Sequence, residues 1–201
     1  MSGIIKPMPS TPKHAVILGG PNGAGKTTFA KEYLPKFVHI DEFVNADNIA
    51  AGLSPFNRDA VAMEAGRLML ARIQTLIDKG LSFGFETTLA GLAWQKVIVK
   101  LKNAGYNTSL FYLNLSTEAL SKERVRTRVA AGGHDIPEET LERRFVKSKQ
   151  NFWEIYRGLV DEWFIFDVTQ LEPKLVASGN HSEIIYDQTL YDAWINQVEL
   201  S

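Results

Sequence analysis

Apolar and polar positions along this 201-residue chain change rhythm repeatedly, and each change marks an element. Ala15-Val16-Ile17-Leu18 is a short β-rich run ending in glycines, and helix follows it to about Leu34-Pro35. Glu42 to Asp47 predicts a second strand. From Asn57 to Lys79 the period is helical, with Met63, Leu68, Met69, Arg72, Ile73 and Leu76 near helical spacing and Gly80 as the stop. Leu81 to Glu86 alternates as a strand does. Leu92 to Asn103 is helical again and ends at Gly105, a residue suited to a left-handed stop. Thr108 to Leu113 and Trp163 to Phe166 predict two further strands. Between them, Ser116 to Ala131 and Pro137 to Gly158 are helical and rich in charge.

Strands separated by helices imply right-handed crossovers, so the expected class is α/β: a mostly parallel five-stranded sheet flanked by helices. Lys174 to Ala177 and Glu183 to Tyr186 flank Ser178-Gly179-Asn180, which predicts a small C-terminal hairpin before a last helix near Leu190 to Val198. The expected organisation is a flexible tail over 1–13, one domain over 14–170, and an appendage over 171–201 packed on that domain. No internal repeat or low-complexity tract divides the chain.

Composition narrows the function classes. With 45% hydrophobic and 22% charged residues the chain has enough apolar surface for a core, which excludes general disorder. The absence of cysteine excludes disulfides, thiolate zinc sites and thiol catalysis. Histidines 14, 39, 134 and 181 show no metal-ligand spacing. No apolar run approaches the roughly 18 residues that span a membrane, and no stretch of signal-peptide length opens the chain. A cytoplasmic location without a membrane partner is expected. Lys and Arg number 22 against 23 Asp and Glu, and a formal charge of -1 argues against a generally basic, nucleic-acid-binding surface.

The strongest chemical signal is Gly20-Pro21-Asn22-Gly23-Ala24-Gly25-Lys26-Thr27, followed by Thr28. It fits G-x-x-x-x-G-K-[ST] in full, directly after a predicted strand and before a predicted helix. Such a P-loop turns backbone N–H groups inward around phosphate oxygens. Its lysine reaches the β- and γ-phosphates, and its threonine hydroxyl holds Mg²⁺. This identifies a nucleotide site but not a reaction.

Carboxylates at predicted strand ends are the next candidates, because ligands gather at the carboxyl edge of an α/β sheet. Asp41 ends an apolar run, but it lies so close to the P-loop helix that it reads as a turn residue. Asp47 reads either as a base that takes the proton of a substrate hydroxyl or as an N-cap. Glu86, with Thr87 and Thr88 behind it, reads as a water-mediated Mg²⁺ contact, a substrate-hydroxyl contact, or again a cap.

The near-neutral total conceals a basic stretch. Lys122, Arg124, Arg126, Arg128, Arg143, Arg144, Lys147 and Lys149 are eight of the 22 basic residues. Gly132-Gly133-His134 interrupts the helical pattern and Pro137 restarts it. A helix–loop–helix of this kind is either a solvated charged face or a lid that brings arginines to a transferring phosphate. Spacing alone does not say which arginines point inward.

GGPNGAGKTT (19–28), FVNADNIAAGLSP (43–55), FGFETTLAG (83–91), ERVRTRVAAGGHDIP (123–137) and LERRF (141–145) together resemble the zeta-toxin family of P-loop kinases, over about residues 14 to 170. The resemblance implies a P-loop NTPase/kinase fold using ATP or GTP with Mg²⁺. It further implies a hydroxyl acceptor of the UDP-N-acetylglucosamine type and a restraining antitoxin protein. By position it makes Asp47 the general base, Glu86 a substrate-hydroxyl contact and Arg124 the first phosphate-neutralising arginine. Arg128, Arg143 and Arg144, with His134, are candidates for the second. A nucleoside or nucleotide kinase, or a nucleotide-dependent switch or ATPase binding module, is the alternative reading of the same residues.

Overall fold

The structure, a computed structural model, describes residues 12–36, 38, 40–133, 135–180 and 182–199. His134 and most of the expected N-terminal tail lie outside the described residues. In β1 (Lys13–Gly19), Ala15 and Ile17 face one side while Val16 and Leu18 face the other, and all four are fully buried. Covering both faces of a strand requires a continuous apolar run instead of alternation, which is what the sequence carries there.

The other strands are β2 (Glu42–Val44), β3 (Phe83–Thr87), β4 (Tyr106–Asn114), β5 (Glu162–Asp167), β6 (Lys174–Gly179) and β7 (Glu183–Ile185). They form one sheet in the order β2-β3-β1-β4-β5-β6-β7. The first five in this order are parallel, β6 returns antiparallel to β5, and β7 pairs antiparallel to β6. The expected five-stranded sheet therefore has seven strands, because the C-terminal hairpin is hydrogen-bonded into it. Without the hairpin, β5 would present a row of unpaired backbone groups at the sheet edge.

The helices are α1 (Lys26–Glu32), α2 (Ala46–Leu53), α3 (Ala62–Asp78), α4 (Trp94–Asn103), α5 (Glu118–Ala130), α6 (Glu138–Glu154) and α7 (Gln188–Glu199). Two boundaries differ from the sequence pattern. The strand expected to reach Asp47 stops at Val44, because the Asn45 carboxamide oxygen accepts the Asn48 N–H at 3.0 Å and caps α2. Asp47 thus sits in the first helical turn; it neither ends a strand nor caps the helix. The long helix expected from Asn57 begins at Ala62, after a 3₁₀ turn over Asp59–Val61.

Phe83, Phe85, Leu110, Tyr112 and Ile165 form the core on one sheet face, and Phe29, Phe111 and Phe166 are central to the other. Trp194 of α7 is buried on the first face against Tyr112, Phe152 and Trp153. The last helix therefore shares the main core, and truncating such a tryptophan to alanine costs about 3–5 kcal/mol. In register, Gly19 lies opposite Thr87 and Tyr112, and Asn114 opposite Asp167. The parallel strands thus end along one edge, where the loops after β1, β3, β4 and β5 meet. No helix among the described residues is long and apolar enough to cross a membrane.

Candidate active site

The loop after β1 wraps its own lysine. Lys26 Nζ donates to the carbonyls of Gly20 and Pro21, both at 2.9 Å, and the side chain is buried. Burial holds this ammonium below its usual range. Glu86 and Asp47 oppose that shift, while Arg128 and Arg144 add to it. A desolvated cation held by neutral carbonyls is primed for an anion, since an entering phosphate supplies the missing charge. The loop is backed by α5, where the Ser121 hydroxyl donates to the Asn22 carbonyl at 2.7 Å. Ser121 had no sequence signal beyond its place in the helix that follows β4.

Thr27 and Glu86 meet across the cleft. The Thr27 hydroxyl donates to Glu86 Oε2 at 3.0 Å, and Asn45 Nδ2 approaches the same hydroxyl at 3.4 Å. Burial holds the Glu86 carboxyl above the usual carboxylate range, with Lys26 and the Thr27 hydrogen bond opposing. No group of three or more His, Cys, Asp and Glu able to hold a metal occurs among the described residues. The paired hydroxyl and carboxylate oxygens nevertheless fit Mg²⁺, which takes one or two protein oxygens and completes its shell with phosphate and water.

Lys26, Thr27, Thr28, Asn22, Gly23, Gly25, Asp47, Glu86, Arg124 and Arg128 line one cleft of about 240 Å³. Asp47 is exposed at its wall. Thr87 and Thr88 do not line it. Their hydroxyls accept the N–H groups of Leu89 (3.0 Å) and Ala90 (3.4 Å), so they shape the turn after β3. Leu89 in that turn has φ +57° and is fully buried, and its carbonyl accepts from Asn151 Nδ2 at 2.9 Å. A left-handed leucine persists only where the surroundings over-determine it, and this one locks the end of β3 that carries Glu86.

The structure separates the lid arginines. Arg124 and Arg128 reach the cleft directly. Arg144, on α6, is half-buried; burial and then Arg143 hold its guanidinium below its usual range, with Asp47 opposing. Arg143 is exposed. Gly132 and Gly133 end α5 as a Schellman turn. Gly132, at φ +85°, donates to Val129 O and Gly133 to Arg128 O, each at 2.9 Å. A Cβ on Gly133 would lie 2.6 Å from Arg128 Cγ, so the turn is packed on the arginine stem. Lys122 bridges α5 and α6 through Glu118 (2.7 Å), Glu138 (3.0 Å) and Glu142 (2.7 Å).

Beyond Arg124 lies a second hollow of about 340 Å³, with Tyr33, Val168, Leu171 and Pro173 on its wall. Neither Asn45 nor Tyr33, Val168, Leu171 and Pro173 of this hollow stood out in the sequence. Asn45 alone carried a usable signal, an Asn placed where a helix begins.

Comparison with known proteins follows the same lines. The sequence profile described as Zeta toxin matches residues 4–190. An uncharacterized protein of Haemophilus influenzae is 28% identical over 134 residues, which cover 65% of this chain and 91% of that protein. Among solved structures, AvrRxo1-ORF1:-ORF2 with ATP superposes with a TM-score of 0.72 at 18% identity, over 91% of this chain. This chain spans 63% of the length of that one. The PezAT chromosomal toxin–antitoxin system of Streptococcus pneumoniae superposes with a TM-score of 0.67 at 17% identity, over 95% of this chain and 85% of that one. At such identities the structural likeness establishes the fold.

Proposed function

The chain belongs to the zeta toxin family, and we propose that it is a Mg²⁺·ATP-dependent kinase transferring the γ-phosphate to a hydroxyl of a small molecule, with UDP-N-acetylglucosamine the first acceptor to try. One observation carries the reading: a single cleft gathers the P-loop lysine and threonine, two carboxylates and two arginines. A nucleotide switch needs the first two but has no use for an exposed carboxylate facing the phosphate position.

In this reading Lys26 leaves its loop carbonyls for the β- and γ-phosphate oxygens. Arg124 and Arg128, with Arg144 from α6, offset the charge that spreads over the transferring group. Asp47 takes the proton from the acceptor hydroxyl as its oxygen bonds to phosphorus and the bond to the β-phosphate oxygen breaks. Such general-base assistance is worth about 10²- to 10⁴-fold. Thr27 Oγ1 and Glu86 Oε2 would hold Mg²⁺, which when bound neutralises charge on the β- and γ-phosphate oxygens. The hollow beyond Arg124 suits the base, with apolar walls for a planar ring and the guanidinium between base and phosphates. GTP would enter by the same route. An antitoxin partner belongs to this reading too, since the PezAT neighbour is a toxin–antitoxin system.

The test is to mix the protein with ATP·Mg²⁺ and a pool of hydroxyl metabolites that includes UDP-N-acetylglucosamine, and to look for a new phosphorylated species by mass spectrometry. Asp47→Asn should abolish transfer while nucleotide binding survives. Full turnover in that variant would remove Asp47 from the base role. The absence of any product, together with a nucleotide-dependent change in protein binding, would favour the switch.

A further inference from the structure

Arg124 enters the cleft from α5, but the group that holds its guanidinium lies elsewhere. Its Nη2 donates at 2.9 Å to the carbonyl of Thr169, in the turn after β5. That turn is tied down from both sides. The Thr169 N–H donates to Asp167 Oδ1 at 3.0 Å and its hydroxyl to Asp167 Oδ2 at 3.1 Å. The same hydroxyl accepts the Ser116 N–H at 3.1 Å, from the turn after β4. The Ser116 carbonyl accepts from Nε2 of Gln197, on α7, at 3.0 Å. Gln197 Oε1 in turn accepts from the ammonium of Lys149, on α6. Lys149 is 2% exposed and lies over the Phe145 ring at 4.9 Å, with Asp167 the carboxylate that favours its charge. The network joins α6, α7 and two loops of the sheet edge. Every link is partly buried, and at its ends Asp167 and Lys149 are buried, so losing a partner there leaves a desolvated charge less well satisfied.

We propose that Thr169, braced by Asp167 and by Gln197 of α7, is the positioning residue for Arg124: it fixes the carbonyl that aims the guanidinium at the nucleotide. The inference rests on the kinase reading above, since aiming Arg124 matters only if a phosphate-bearing ligand enters the cleft. It also gives the C-terminal helix a part in the site. An arginine side chain has many rotamers, and a carbonyl that pre-selects one lowers the ordering cost when the ligand arrives. Losing one such hydrogen bond corresponds to about a three- to tenfold change in affinity.

The experiment measures the affinity of the full chain for a non-hydrolysable ATP analogue with Mg²⁺ by calorimetry. The variants are Thr169→Val, Thr169→Ser, Gln197→Leu and Arg124→Ala, with the two doubles that add Arg124→Ala to Thr169→Val and to Gln197→Leu. Thr169→Val should weaken binding about three- to tenfold. Thr169→Ser, which keeps the hydroxyl, should restore it, and Gln197→Leu should weaken it in the same direction. Neither loss should add to that of Arg124→Ala, because both act through that side chain. Equal losses with and without Arg124, or wild-type binding by both single variants, would overturn the positioning role. If Thr169→Val does not fold, the Gln197→Leu cycle decides alone. Failure of the wild-type chain to bind the analogue would remove the kinase reading itself, whereas wild-type binding with unaffected variants removes only this inference.

Discussion

Gly133→Ala tests how the turn after α5 serves catalysis. The added methyl would sit 2.6 Å from Arg128 Cγ and 2.7 Å from the Arg128 carbonyl oxygen, against an ordinary contact from 3.4 Å. About 0.8 Å must therefore be found, and part of it must come from backbone, which does not yield cheaply. Overpacking of this kind costs about 1–3 kcal/mol. For a chain of this size each kcal/mol lowers the melting temperature by about 2–4 °C. The same displacement moves Arg128 by a large part of an ångström, and misplacing a group by about 1 Å can cost about 10²-fold in rate. Gly132→Ala is the internal control. Its φ of +85° makes alanine strained by about 1 kcal/mol, yet a Cβ there meets nothing within 4 Å. Both variants should thus lose comparable stability by thermal melting. Only Gly133→Ala should lose at least about tenfold in kcat, with the KM for ATP much less changed. Equal kcat values for the two variants, or wild-type kcat in Gly133→Ala, would refute the coupling between this turn and Arg128.

The other expectations are briefer. Arg144→Ala should lower turnover by about 10²-fold while Arg143→Ala stays close to wild type, because Arg144 is half-buried and interacts electrostatically with Asp47 whereas Arg143 is exposed; the reverse order in a rate assay would return the choice to Arg143. Lys149 is pushed down to about 8 by burial, so between pH 8 and its ordinary 10.5 the unfolded chain binds more protons than the folded one. Wild-type stability should therefore rise through that window relative to Lys149→Met, by up to about 3 kcal/mol. Denaturant melts of both proteins at pH 7 and pH 10 check this, and parallel pH profiles would contradict it. Lys122→Met should release α6 from α5 and speed amide exchange at Glu138 to Leu141, since one ammonium serves three glutamates there. Unchanged exchange would mean that Val125, Ile136 and Leu141 hold the two helices together by themselves.

The P-loop was readable because its chemistry is local: glycines, a lysine and a threonine within eight positions, between a strand and a helix. Among the parallel strands, β1 and β5 were readable as continuous apolar runs, as burial on both faces requires, and β3 by its alternation. Two things misled. Glu42 to Asp47 has strand-like composition, but the Asn45 side chain satisfies a helix N-terminus and ends β2 early. The sheet was counted two strands short because the hairpin's pairing with β5 leaves no local mark in the sequence.

The amino-acid order by itself established the nucleotide loop, the α/β alternation, a local basic zone within a chain of charge -1, and the family resemblance. It could not say which arginines of the basic stretch line the P-loop cleft, because helical spacing fixes angles about an axis but not the direction in which that axis is turned. Packing decided that. Ser121 anchors α5 to the P-loop, Gly133 rests on Arg128, and the Thr169 carbonyl holds Arg124. The Gly133 contact is made within one helix end, but the other two join atoms from different elements, and only the order of strands in the sheet brings those within reach.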